Sequence, residues 1–391
     1  MLKKILCAFI MLTIAVVVSA QKITLREDGI TLIDGKPFFP IGSYRDPSQT
    51  LNDFSGLKEA GFNMTHEYYF EQRVASTDDL IKTAKTYLDE AHKNGLKVFM
   101  GVPRKAVKKE KSKDIEKFAA ALADKPALLT WYVYDEPLLH KMPFDKFKKA
   151  ADAIRKGDPE HPLTMAMAWI RKKGTPQPYL DAVDIVGVDT YPIGSKHKDP
   201  IRAVGENIRI AYKKSQDKKP VWSIIQAFEW EYLRKEKTLQ KDGAPTIPTM
   251  PQFRYMNYLS LASNAKGIIY YWQLKRHYDV KKDSPTVWKS ICESVKELNG
   301  LQPFLVAYED KTQYKMPGNI KIWTRQHKNK RVVALINYYE KPAVFSWEIP
   351  WENVKSIVAY PENKIVKLDK SLQLKFAPIE VKVFILEFSN M

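Results

Sequence analysis

The chain has 391 residues, 45% of them hydrophobic, enough to bury a large core without disulfide staples. Lysine and arginine outnumber aspartate and glutamate 63 to 45, a formal net charge of +18. The two cysteines, Cys7 and Cys292, exclude a disulfide framework, and no zinc-finger, RNA-binding or helix-turn-helix spacing accompanies the basic charge. A lysine-rich surface accounts for that charge more simply than a nucleic-acid partner does.

Residues 1–20 read as an export leader. Lys3 and Lys4 precede an apolar run over 5–18, and Val18-Ser19-Ala20 supplies small residues before Gln21. The run is too short to span a bilayer, and no later stretch is long and apolar enough to do so. The mature chain is therefore expected to be exported: periplasmic, cell-surface or secreted. Cys292 falls in a helical pattern and is expected to be a small buried hydrophobe.

Beyond the leader, a hairpin is predicted over 24–39, with Asp34-Gly35 as its tight turn. The chain then alternates strand-like and helical runs. Strands are predicted over 37–45, 61–67, 96–103, 127–137, 162–169, 184–192, 220–228 and 267–272. Helices are predicted over 51–60, 77–93, 112–123, 144–156, 201–214, 252–265 and 286–298, the second ending at Asn94-Gly95. Eight strands with seven helices among them fit one α/β domain, a (β/α)8 TIM barrel of about 250 residues. No G-x-G-x-x-G or P-loop supports an open doubly wound sheet. From about Leu305 helical periodicity disappears, and strands over 319–324, 331–337, 343–347, 354–360 and 380–388 predict a small all-β sandwich. The expected domains are the leader over 1–20, the barrel with its hairpin over 21–305, and the sandwich over 306–391.

In such a barrel the C-terminal strand ends carry the chemistry. Those ends supply Tyr44 and Arg45, His66, Glu67, Tyr68 and Tyr69, Asp135 and Glu136, Trp169, Asp189 and Tyr191, Gln226, Glu229 and Trp230, and Trp272 and Gln273. Carboxylates and aromatics dominate, and metal-ligand spacing is absent. Aromatic faces with a few polar groups suit a saccharide, whose C–H faces stack on rings while its hydroxyls take hydrogen bonds. Hydrolysis of a glycosidic bond needs one carboxyl as acid and a second as nucleophile or base. Glu136 is the expected acid/base, because Tyr134, Trp131 and the like charge of Asp135 would raise its pKa. The plainer alternative is a capping carboxylate at a strand-to-helix turn.

The entry Asp34-Gly35-Lys36-Pro37-Phe38-Phe39 and the strand running from Trp131 to Asp135-Glu136-Pro137 resemble those of clan A (β/α)8 glycoside hydrolases. So do the segments over 183–192 and 267–272. The two-domain plan is also similar to that of family 158 endo-β-1,3-glucanases. The resemblance implies Glu136 as acid/base, at the position of the Glu in the clan's Asn-Glu-Pro, with Asp135 standing where that motif has Asn. It implies a β-glucan-like poly- or oligosaccharide as substrate; no cofactor and a monomer are expected. The nucleophile implied for the seventh strand falls on Gln226, an amide. Glu229 is therefore the candidate nucleophile and Asp189 the alternative base. Asp135, Tyr44, Arg45, Glu67, Tyr191, Gln226 and Trp272 are the expected substrate contacts. A carbohydrate-binding protein without catalysis is the alternative, and an adhesion or matrix-binding role would rest on net charge alone.

Overall fold

The computed structural model describes residues 21–45, 53–67, 76–168, 176–194, 199–230, 247–272 and 279–389. The expected leader, Tyr68, Tyr69, Trp169 and Gln273 lie outside the described residues, as do the side chains of Arg45 and Glu67.

Strands β1 (Ile23–Leu25), β2 (Thr31–Ile33) and β3 (Lys36–Phe38) form a small antiparallel sheet. Asp34 and Gly35 take φ of 50° and 76°, the pair of left-handed residues that a two-residue hairpin turn requires. Ile23, Leu25, Ile33 and Phe38 of this sheet pack with Leu129, Ile185 and Trp222 from the barrel interior, so the sheet closes the N-terminal end of the barrel. The stretch predicted as one strand over 37–45 is divided. Pro37 belongs to this sheet, and the barrel strand begins at Ile41, after Pro40, which has no N–H to donate.

Eight parallel strands then close the barrel: β4 (Ile41–Arg45), β5 (Met64–Glu67), β6 (Lys97–Gly101), β7 (Leu128–Asp135), β8 (Leu163–Met167), β9 (Ile185–Thr190), β10 (Val221–Gln226) and β11 (Ile268–Tyr271). The connecting helices are α1 (Phe54–Glu59), α2 (Thr77–Lys93), α3 (Arg104–Lys108), α4 (Ser112–Ala120), α5 (Phe144–Gly157), α6 (Gln177–Asp181), α7 (Ala203–Lys214), α8 (Met250–Ala262), α9 (Val280–Asp283), α10 (Pro285–Asn299) and α11 (Gln302–Leu305). Helix α2 shows why these segments are helical. Ser76 accepts a hydrogen bond from the Asp79 amide, Asp78 and Asp79 face the positive end of the dipole, and Leu80, Ile81, Ala84, Tyr87, Leu88 and Ala91 form one buried stripe. Gly95, at φ 68°, lets the chain turn away beyond the helix end. Cys292, expected to be buried, is half-buried on α10.

The all-β region is a five-stranded sheet and a two-stranded one. The first has the order β12 (Ile320–His327), β13 (Lys330–Asn337), β18 (Val381–Phe388), β15 (Val354–Tyr360), β16 (Lys364–Val366); the second pairs β14 (Ala343–Glu348) with β17 (Ser371–Phe376). Strand β13 is buried on both faces. Val332, Ala334 and Ile336 join the barrel core, while Val333 and Leu335 meet Trp347, Phe376 and Phe384 between the two sheets. Helix α8 is correspondingly apolar almost all round, because it is sandwiched between the barrel and the larger sheet. Arg254 on α8 pins this junction: it pairs with Glu297 of α10 at 2.9 Å and donates to the Val381 carbonyl at 3.1 Å. Among the described residues no helix is long and apolar enough to cross a membrane.

Candidate active site

The site is built at the C-terminal end of β7. A strand places residues i and i+3 on opposite faces, yet the Tyr132 hydroxyl donates to Asp135 Oδ1 at 2.6 Å. The pairing of β7 with β8 explains this. Tyr132 lies opposite Thr164 and Asp135 opposite Ala166, so β7 holds one extra residue in a bulge. The bulge turns Asp135 back to the face of Tyr132. Glu136 follows with φ 43°, a left-handed conformation that costs a non-glycine residue roughly 1–3 kcal/mol and collects at functional sites.

Asp189 reaches the same place by plain alternation. On β9, Ile185, Gly187 and Asp189 face the barrel interior; Ile185 packs there and a Cβ on Gly187 would touch Ile224. Asp189 is 8% exposed, and its carboxyl is close enough to that of Glu136 for each to move the other's pKa, although its Oδ1 has no hydrogen-bond partner among the described residues. Burial raises the Glu136 pKa most, followed by the charges of Asp189 and Asp135, with Arg104 opposing. Burial also raises Asp189, though less, because hydrogen bonds from Glu136 and Tyr191 favour its ionised form. One proton is therefore held on the Glu136 side of the pair at neutral pH.

Beneath the pair lies an aromatic floor. Tyr44 is 2% exposed, and its hydroxyl donates to Tyr132 Oη at 3.5 Å. His66 stacks on Phe99 at 4.1 Å and its Nδ1 lies 2.6 Å from the Phe99 carbonyl. Burial depresses the imidazole pKa to about 3, so His66 is neutral and Nδ1–H is the donor. Above the floor, Tyr191 stacks on Tyr271 at 5.5 Å and meets Phe228 and Trp230 edge-on.

Two expected contacts are placed elsewhere. Trp272 packs on Phe62 at 5.5 Å and Trp288 at 5.7 Å in the strand–helix layer; the parity of β11 puts Tyr271, not Trp272, at the mouth. Gln226 is fully buried, accepts from the Ile193 amide at 2.8 Å and donates to the carbonyls of Ile193 and Phe228 at 2.8 and 3.0 Å. Its amide clamps the loop after β9 to the turn after β10, so every one of its polar atoms is spent on backbone. Glu229 is half-buried beyond that turn. The carboxylates acting most strongly on Glu136 are Asp189 and Asp135. The backbones of Arg45 and Glu67 pair in register at the ends of β4 and β5.

Two further residues reach the site. Arg104, first residue of α3, lies 5.1 Å from the Tyr134 ring and favours ionised Glu136. His140 Nε2 lies 3.9 Å from both Asp135 and Glu136. Arg104 follows the third strand directly, so its position after Val102-Pro103 was the available signal. His140 lies in the turn after β7 and carries no such mark. Among the described residues Asp135, Glu136 and His140 bring ligand-type atoms within 4.8 Å of one another, the grouping best suited to a cation. No metal-ligand spacing in the sequence had suggested it.

A closed parallel barrel with paired carboxyls at its C-terminal mouth defines the architectural class. No protein-family model matches the chain, and no curated protein matches it in sequence. Solved structures do. A glycoside hydrolase family 5 protein from Bacteroides vulgatus is similar at 15% identity over 94% of each chain, with a TM-score of 0.64. A family 30 endoxylanase from Clostridium papyrosolvens is similar at 11% identity over 90% of this chain and 96% of that one, TM-score 0.58. An α-amylase from Geobacillus thermoleovorans is similar at 12% identity over 90% and 99%, TM-score 0.58. At these identities the likeness is one of fold, and coverage that wide takes in both the barrel and the appended sheets. The expected architecture, a (β/α)8 barrel followed by a β-sandwich, is the one observed.

Proposed function

We propose that this chain is an exported glycoside hydrolase acting on a poly- or oligosaccharide, with Glu136 as general acid/base and Asp189 as its partner. The carrying observation is the placing of half-buried Glu136 beside buried Asp189 at the mouth of the barrel, where burial and like charge favour a proton on Glu136. Protonated Glu136 delivers its proton to the glycosidic oxygen as the bond to the anomeric carbon breaks. The two carboxyls lie closer to the retaining spacing of about 5–5.5 Å than to the inverting one of about 6.5–9.5 Å, and an incoming sugar would part them. On this reading Asp189 attacks the anomeric carbon to form a glycosyl ester. Water, deprotonated by Glu136, then displaces Asp189 and returns the proton to Glu136. Export rests on the leader pattern of residues 1–20, and a β-glucan is the first substrate to try, on the resemblance of the two-domain plan. A second reading, binding without turnover, is motivated by Gln226, which puts an amide where the resemblance implies a carboxylate.

Proton NMR of the first product from a hydrolysed glycan should show the anomeric configuration of the cleaved linkage. Inversion would reassign Asp189 to base, and binding without any sugar release across a glycan panel would favour the second reading. The pH profile offers a separate check. Activity needs Asp189 ionised and Glu136 protonated, so it falls as pH drops through the first pKa and as pH rises through the second. Asp135 raises both by like charge. Asp135→Asn keeps an acceptor for Tyr132 but removes that charge, so both limbs of the kcat/KM profile should move to lower pH, by about one unit. Limbs that stay in place would sever Asp135 from the pair.

A further inference from the structure

Away from the mouth, a cavity of about 540 Å³ opens where the sandwich meets the barrel, lined by Arg202, Asn319, Asn337, Tyr339, Glu340 and Lys341. That volume lies within the range of ligand pockets, roughly 300–1,000 Å³. From it we infer a second saccharide-binding site, for a distal stretch of the same glycan; the inference rests on the proposed carbohydrate function.

The cavity walls are held before any ligand arrives. Tyr338 receives Arg209 at 3.2 Å and donates to Glu206 at 2.9 Å, and its carbonyl accepts from Tyr255 at 2.8 Å. Glu340 accepts from the Ile201 amide at 3.3 Å. The Asn337 amide spans the loop to the Lys341 and Ala377 carbonyls at 2.7 and 2.8 Å. On this anchored loop Tyr339 nevertheless leaves 45% of its surface in water, next to the buried Tyr338. A fixed, half-exposed aromatic costs little ordering entropy when a ring stacks on it.

The charges favour a neutral ligand. Arg202 is paired with Glu206 at 3.2 Å, and the Glu340 carboxylate lines the same cavity as Lys341. Donors and acceptors beside one aromatic face match a polyhydroxylated ring better than an anion. Position supports the same ligand. The loop that leaves β9 after Thr190, with Tyr191 in the mouth, ends at Ile201 and Arg202 on the cavity, and Gln226 clamps it at Ile193. Arg202, just before α7, marks the C-terminal side of the barrel, the side that carries the Glu136–Asp189 pair.

Affinity electrophoresis in laminarin and in soluble starch, with kinetics on laminarin and on laminaritriose, tests the site. Wild type should be retarded by one of the polymers, Tyr339→Phe should keep that retardation, and Tyr339→Ala should lose it. On laminarin, if hydrolysed, Tyr339→Ala should raise KM about five- to tenfold with unchanged kinetics on the trisaccharide. Retardation of Tyr339→Ala equal to wild type, equal losses on polymer and trisaccharide, or no retardation of wild type by either polymer would each overturn it. Retardation lost only in Tyr339→Ala, in a chain that hydrolyses nothing, would uphold the site while removing the hydrolase reading.

Discussion

Glu136→Gln is expected to lower turnover of a natural glycan about 10³-fold, within the roughly 10²–10⁴-fold range of general acid catalysis. The side chain keeps its size, and its amide donates to Asp189 in place of the lost proton. Folding should therefore persist, with a thermal midpoint no lower than wild type. The discriminating measurement is leaving-group dependence. An aryl glycoside with an acidic phenol departs without protonation, so its glycosylation step should lose far less than the natural bond does. Equal losses on both substrates would mean that Glu136 holds the sugar without protonating it. Retention of more than a tenth of wild-type activity on the glycan would remove Glu136 from the chemistry.

Asp189→Asn should be at least as severe, on the order of 10⁴-fold in kcat, because an amide cannot form the glycosyl ester. Here the expected signature is rescue. Added azide should restore turnover of the activated aryl glycoside and yield a glycosyl azide of opposite anomeric configuration. The parallel variant Glu229→Gln separates the two candidates that sequence alone left open. It should retain most activity, since Glu136 feels Asp189 and Asp135 foremost. Inactive Glu229→Gln beside active Asp189→Asn would return the nucleophile to the turn after β10.

Much of the architecture was legible because it depends on short-range periodicity. Ile185, Gly187 and Asp189 alternate inward on β9 as a period of two requires, so the position of Asp189 at the mouth follows from its place at the end of the strand. The Asp34-Gly35 turn, the helix from Thr77 to Lys93 and the start of the all-β region were legible for the same local reasons. Strand β17 escaped the reading although Leu372 and Phe376 bury on one face, and β16, three residues long with an exposed Ile365, offers almost no pattern. Trp272 was misplaced by one residue of parity, which in a strand is the difference between mouth and helix layer.

The sequence alone determined that a carboxylate pair ends the fourth barrel strand and that Glu136 is the acid to test. Its partner was decided by tertiary structure. A one-residue bulge against β8 and a left-handed Glu136 bring Asp135 and Glu136 to the mouth, where Asp189 arrives from β9. Gln226 falls on the strand expected to supply the nucleophile, but backbone groups of two neighbouring loops consume its amide. Bulges, backbone sign changes and loop-to-strand hydrogen bonds depend on what lies across the sheet, and no periodicity along one strand records them.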